Sequence, residues 1–148
     1  MRLNQQTDLA FRVLIHVALC PDRRVTIDEV TESYRVSRNH LMKVVHQLAR
    51  HRFLRTTRGA GGGMQLARSA ESISLAAVTE SMEPDLALVE CFRSDNQCVI
   101  TPACNLAGIL DQARRAFVEV LAGHSLADLV AHGQAPALKK LLKLGVSY

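Results

Sequence analysis

The chain has 148 residues, 48% of them hydrophobic but only 4% aromatic and none tryptophan, which disfavours an aromatic-cored sandwich and points to helices packed through Leu, Val, Ile and Ala. This length suffices for one domain with a real core, or a small domain with an appendage. The net charge of +4 is uneven: residues 35–68 hold eight Lys or Arg, three His and no acid, leaving ten bases against fourteen acids elsewhere. Such an acid-free stretch is built to meet a polyanion. The apolar run 9–20 is interrupted by Arg12 and His16 and is too short to cross a bilayer, so neither a membrane span nor an export signal is expected. A cytoplasmic, reducing location follows, in which four cysteines indicate thiol or metal chemistry rather than disulfides.

Residues 8–19 place Leu9, Val13, Leu14 and Val17 at helical spacing, which predicts an amphipathic first helix ending near Pro21. Asp8 falls in its first turn, where an acid complements the helix dipole. Thr26 caps a second, short helix, with Glu29 completing a capping box over Ile27, Val30 and Tyr34. After a turn at 34–36, Ser37 caps a third helix over 38–51, with Leu41, Val44, Val45 and Leu48 as its buried stripe.

Residues 53–58 and 64–67 read as two short strands joined by Gly59, Ala60, Gly61, Gly62 and Gly63. The glycines serve either a flexible tip or a backbone that closely approaches another surface, and Arg55, Arg58 and Arg68 favour the second. Ser74 opens a helix through Met82. Thr101 and Pro102 resemble the N-cap and first residue of a long helix over 102–122. In it Leu106, Leu110, Ala113, Phe117 and Val120 form a seam expected to pair two subunits. A short capped helix at 125–130 and a weakly amphipathic tail at 135–144 complete the chain.

The expected fold is therefore mainly α: a winged helix-turn-helix domain with a two-stranded wing, plus a long C-terminal dimerisation helix. Its divisions are a DNA-binding domain over 1–83, a cysteine loop over 84–105, the dimerisation helix with the short capped helix over 102–130, and a tail over 131–148.

In such a fold the third helix enters the major groove of double-stranded DNA. Ser37, Arg38, Asn39 and His40 then lie at its leading end. Arg38 and Asn39 are the base-reading candidates, because each makes bidentate hydrogen bonds, to guanine and adenine respectively. Lys43 and Arg50 suit phosphate, Arg58 suits a narrow minor groove, and Thr26, Gly61 and Gly62 belong to the same expected face.

Three of the four cysteines, Cys91, Cys98 and Cys104, fall within fourteen residues, separated by six and five. No pair has the two-residue gap of zinc knuckles or ribbons, whereas wide gaps let a loop wrap an iron–sulfur cluster. With Pro102 opening the long helix, Cys104 would sit in its first turn, where exposed N–H groups stabilise a thiolate or an anionic cluster. Three thiolates leave a fourth position, for which Cys20 or a carboxylate are the alternatives. Nothing in the chain forms a nucleophile motif, a redox Cys-x-x-Cys or a catalytic carboxylate pair, so no enzyme is expected.

Four segments in order, TDLAFRVLIHVA, EVTESYRVSRNHLMKVVHQLAR, TTRGAGGGMQL and ECFRSDNQCVITPACNL, resemble the bacterial family of winged-helix iron–sulfur regulators, and within it the nitric-oxide-sensing repressors. The resemblance implies a homodimer on an inverted-repeat operator, with one cluster per subunit, 4Fe–4S favoured and 2Fe–2S possible. It also implies that nitric oxide nitrosylates the cluster and releases DNA. Cluster thiolates then fall on Cys91, Cys98 and Cys104, and a fourth, carboxylate ligand on Asp8 of the partner subunit. The related regulators of cluster assembly carry a histidine where this chain has Ala107, which disfavours that reading. The alternatives are a winged-helix regulator of iron–sulfur or redox status, and a winged-helix module with structural zinc.

Overall fold

The computed structural model describes residues 3–131 and 133–145. The first two residues of the expected DNA-binding domain, together with His132 and the last three of the tail, lie outside the described residues.

Helix α1, Gln5–Ala18, is capped by Asn4, whose side chain accepts from the Thr7 N–H at 2.8 Å. It begins three residues before the apolar pattern does, because Gln5 and Gln6 extend the helix without taking part in the periodicity. Its buried face, Leu9, Ala10, Val13, Leu14 and Val17, is the centre of the core. Helix α2, Ile27–Tyr34, has the expected Thr26–Glu29 capping box and ends at Arg35, which takes a left-handed conformation with φ 52°. Helix α3, Arg38–Arg50, buries Leu41, Val44, Val45 and Leu48 against α1 and α2.

Strands β1, Leu54–Thr57, and β2, Gly63–Leu66, pair antiparallel with Leu54 opposite Leu66 and Thr57 opposite Gly63. Val25, between α1 and α2, bridges to Met64 through N–H···O bonds of 3.0 and 2.8 Å. The wing is thereby tied to the helix-turn-helix, with Phe53, Leu54 and Met64 in the common core.

Helix α4, Leu75–Met82, follows, then a loop with two short 3-10 turns, then α5, Asn105–Ala122. The long helix starts later than the Thr101-Pro102 signal predicts. Thr101–Ala103 is a separate 3-10 turn, and Cys104, extended at φ −90° and ψ 112°, is the N-cap of α5 rather than a residue of its first turn. The cause is local: the Thr101 hydroxyl donates back to the Cys98 carbonyl at 2.8 Å instead of accepting from a helical N–H.

Helix α6, Leu126–Leu129, returns to the winged-helix core: Leu126 is fully buried, its N–H donates to the Ile73 carbonyl at 2.8 Å, and Leu75 N–H donates to the His124 carbonyl at 3.0 Å. Burying such a leucine contributes about 2 kcal/mol. Helix α7, Ala135–Leu141, is the last helix among the described residues. Between these returns, residues 83–125 contain no buried side chain at all.

Candidate nucleic-acid interface and cysteine loop

The start of α3 is open. Ser37 is its N-cap, extended at φ −64° and ψ 128°, but its hydroxyl makes no capping bond. The exposed side chains of Arg38, Asn39, His40 and Lys43 follow it on the helix, and Arg50 is exposed at the far end. Backbone N–H groups without a side-chain cap at a helix N-terminus suit a phosphate. Thr26 is exposed at the neighbouring α2 N-terminus, and its hydroxyl already accepts from the Glu29 N–H at 3.2 Å. Arg38 is not free: its Nη1 is ion-paired with Asp28 of α2.

The wing tip closes on itself. Gly59 and Gly61 have φ of +88° and +70°, a region that side chains disfavour. A Cβ on Gly62 would meet the Thr57 and Gly59 carbonyl oxygens at 2.5 and 2.7 Å. Gly62 N–H donates to Gly59 O at 2.9 Å, and Arg24 Nη1 donates to Gly61 O at 3.0 Å. The turn itself therefore requires these glycines. Arg55 and Arg58 are exposed beside it, while the Arg68 guanidinium lies 4.8 Å from the Phe53 ring centre.

Beside α3, a cleft lined by Asn4, Gln6, Lys43, Gln47, Arg50 and Glu83 separates it from the start of α1 and the end of α4. Glu83 closes this cleft. Its carboxylate accepts from Asn4 N at 2.9 Å, Asn4 Nδ2 at 3.0 Å and Thr7 Oγ1 at 2.5 Å. One residue before Pro84, it fixes the root of the cysteine loop to the N-terminus of the helix that carries Asp8. Sequence periodicity could not reveal Glu83, Asp28 or Arg24, because their partners lie 79, 10 and 37 residues away.

The loop itself is held by local polar bonds. Asn96 Nδ2 donates to Thr101 Oγ1 at 2.9 Å, Cys98 N to Asn96 Oδ1 at 2.9 Å, and Gln97 N to Glu90 Oε1 at 3.0 Å. All four cysteines are free thiols; Cys91 and Cys104 are half-buried and Cys98 is exposed. Among the described residues no three His, Cys, Asp or Glu side chains converge closely enough to hold a metal ion. The donor chemistry nevertheless fits an iron–sulfur cluster: three free thiols lie on one loop, and Cys104 caps a helix whose N-terminal N–H groups have no side-chain acceptor.

Asp8 is exposed on α1 and paired with Arg12 at 2.8 Å, beside an open groove lined by Leu3, Asn4, Gln5 and Phe11. Cys20 lies elsewhere, half-buried in a cavity with Arg55, Leu66, Arg68 and Ala127, and burial pushes its thiol up. No loop cysteine lines that cavity.

Residues 3–132 match the Rrf2 family, described as an iron-dependent transcriptional regulator. The chain belongs to the Rrf2 family. It is 39% identical over 132 residues to the HTH-type transcriptional regulator NsrR of Shouchella clausii (strain KSM-K16), an alignment covering 88% of this chain and 89% of that protein. These relatives are transcriptional regulators and not enzymes. Two solved structures share the fold. The global cysteine regulator CymR of B. subtilis superposes with a TM-score of 0.72 at 20% identity, over 89% of this chain and 98% of that one. IscR of T. potens superposes with a TM-score of 0.71 at 17% identity, over 100% and 93%. The fold is thus that of the Rrf2 winged-helix regulators. Among the described residues, no helix is long and apolar enough to cross a membrane.

Proposed function

We propose that this Rrf2 regulator is a nitric-oxide-responsive repressor. In this reading it binds an inverted-repeat operator in double-stranded DNA as a homodimer, holds one iron–sulfur cluster per subunit on Cys91, Cys98 and Cys104, and releases the operator in response to nitric oxide. The observation that carries the reading is three free thiols on one loop, at the base of an arm with no buried side chain, in a chain whose residues 35–68 hold eight Lys or Arg and no acid. The similarity to NsrR supports the choice of signal.

When bound, the cluster, 4Fe–4S or 2Fe–2S, supplies iron able to react with a small diatomic molecule. Every other part belongs to the chain. Lys43 and Arg50 neutralise phosphates, Arg38 and Asn39 read base edges, and Arg58 beside Gly61 and Gly62 reaches the minor groove. Ser37 and Thr26 place hydroxyls and helix N-termini at the backbone, with His40 alongside.

Exposed apolar surface on the arm supports the homodimer. On α5, Leu106 and Val120 are 56% and 65% exposed, and Ile109 is 62% exposed. On the loop, Val99 is 91% exposed. Apolar surface of this extent marks an interface. A second copy that covers α5 brings its own α1 towards the loop, and Asp8 of the partner subunit supplies the missing oxygen ligand once it leaves Arg12. The two recognition helices must then sit about one DNA turn, ~34 Å, apart to meet both half-sites. Glu83 transmits loop geometry to α1 and to the cleft beside α3.

The test is anaerobic purification with visible absorption and iron, sulfide and zinc analysis, followed by operator binding with and without a nitric oxide donor. Coloured protein containing iron and sulfide, loss of colour in Cys98→Ser, and nitric-oxide-dependent release are expected. Colourless, zinc-loaded protein refutes the cluster, and affinity insensitive to salt refutes the DNA face.

A further inference from the structure

We infer that Asp28 is a positioning residue for sequence reading: its carboxylate holds the Arg38 guanidinium in the orientation that engages a guanine. The inference rests on the proposed base-reading role of Arg38.

Asp28 lies in the first turn of α2, whose start is rigid. The Thr26–Glu29 capping box closes it, and Arg23 Nη1 meets Glu29 Oε1 at 2.8 Å. From this platform the Asp28 carboxylate spans the turn of the helix-turn-helix to the first residue of α3, where it accepts from Arg38 Nη1. The choice of nitrogen matters. Guanidinium presents five N–H donors in a fixed plane, and a bond through Nη1 leaves the Nε–Nη2 edge free. That edge is the one that donates side-on to guanine O6 and N7. The ion pair thus removes rotamer freedom from a long exposed side chain without consuming the donors that read the base, and less ordering remains to be done on binding.

Charge argues in the opposite direction, which makes the two effects separable. Both side chains are exposed, 77% for Asp28 and 53% for Arg38, so the pair does little for stability. A carboxylate beside the recognition helix repels phosphate on every sequence alike. As a bystander Asp28 lowers affinity uniformly, whereas as an orienting group it raises affinity only where a guanine meets Arg38.

The experiment uses anaerobically purified holoprotein. Duplexes are selected by the wild type from a random-sequence library, and each base pair of the selected site is then changed in turn. Dissociation constants are measured for wild type, Asp28→Ala, Asp28→Asn, Arg38→Ala and the Asp28→Ala/Arg38→Ala double variant. A bidentate guanine contact discriminates against the wrong base by roughly 5- to 150-fold. Arg38→Ala is expected to lose this at one G·C pair, and Asp28→Ala to lose part of it, about two- to fivefold, at the same pair, with no loss in the double variant beyond that of Arg38→Ala. Asp28→Asn keeps an oxygen acceptor without the charge and is expected to restore part of the discrimination. Thermal melts of all variants are expected to coincide.

Uniformly tighter binding by Asp28→Ala with discrimination intact would show a mere repelling charge and overturn the inference. Additive losses in the double variant, or a loss at a pair that Arg38→Ala does not affect, would also overturn it, because Asp28 would then act independently of Arg38. Unchanged base preference in Arg38→Ala removes the base-reading role and the inference together. A wild type that selects no sequence and shows no salt dependence refutes the DNA reading itself, a result distinct from all of these.

Discussion

Glu83 offers the most direct test of how the cysteine loop is anchored, through the substitution Glu83→Ala. Three hydrogen bonds disappear: Asn4 N–H at 2.9 Å, Asn4 Nδ2–H at 3.0 Å and Thr7 Oγ1–H at 2.5 Å. Bonds to a charged group contribute about 1.5–3 kcal/mol each when sheltered, but Glu83 is only half-buried, so about 1 kcal/mol each is appropriate. Two local bonds survive, from Thr7 N to Asn4 Oδ1 at 2.8 Å and from Thr7 Oγ1 to the same oxygen at 3.2 Å, so the fully buried Thr7 hydroxyl keeps a partner. The net loss is about 2–3 kcal/mol, which for a chain of this size lowers Tm by about 10 °C. Glu83→Gln retains one acceptor oxygen and is expected to lose about half as much. Thermal unfolding is followed by circular dichroism at one fixed protein concentration, because dimerisation shifts apparent stability. A Glu83→Ala drop below about 2 °C, corresponding to less than ~0.5 kcal/mol, or equal effects of Ala and Gln, refutes the anchoring role.

Four other substitutions probe separate parts of the molecule. His16 is fully buried with neither ring nitrogen hydrogen-bonded, and burial holds its pKa below the usual histidine value; the unfolded chain therefore binds the extra proton first, and stability falls as pH drops through about 6.5. Urea titrations should show His16→Leu losing less stability than wild type between pH 7.5 and 5, by up to ~1.4 kcal/mol per pH unit below 6.5; parallel curves contradict this. Gly62→Ala drives a Cβ into two carbonyl oxygens and is expected to cost about 1–3 kcal/mol, whereas Gly108→Ala, in α5 with nothing within 4 Å, is expected to add about 0.5–1 kcal/mol; denaturant midpoints of the two variants should move in opposite directions. Val120→Glu is expected to shift sedimentation from dimer to monomer, and an unchanged dimer places the interface elsewhere.

Local chemistry made much of this fold legible. The Thr26–Glu29 box and the stripe Leu41, Val44, Val45 and Leu48 stand in the structure as the spacing predicts, since capping and periodicity are decided within one or two turns. Failures occur where a distant residue decides. Helix α1 starts at Gln5 with the help of Asn4, whose nitrogens are held by Glu83 from the other end of the domain. Thr101 has the signature of a helix cap but is committed to Cys98 and Asn96 of its own loop, which displaces the start of α5 to Asn105. Leu126 belongs to the core because residues 124–126 bond back to Ile73 and Leu75, a long-range pairing with no local periodicity to announce it.

The candidate site divides along the same line. Cysteine density identifies the loop and the missing acids identify the basic face, because both are properties of composition over a short span. In the proposed reading, what the loop does with its thiols depends on a surface supplied by a second copy. Residues 83–125 include Leu86, Val89, Phe92, Ile100, Leu110 and Phe117, yet none is buried. Most of these are half-covered by the chain itself, but Val99 and Ile100 on the loop and Leu106, Ile109 and Val120 on the 18-residue helix are exposed, and in the proposed dimer a second copy covers them. In the proposed dimer the two requirements are met together: covering α5 brings an exposed Asp8 to the loop, and the loop's root at Glu83 passes the result to the cleft beside the recognition helix.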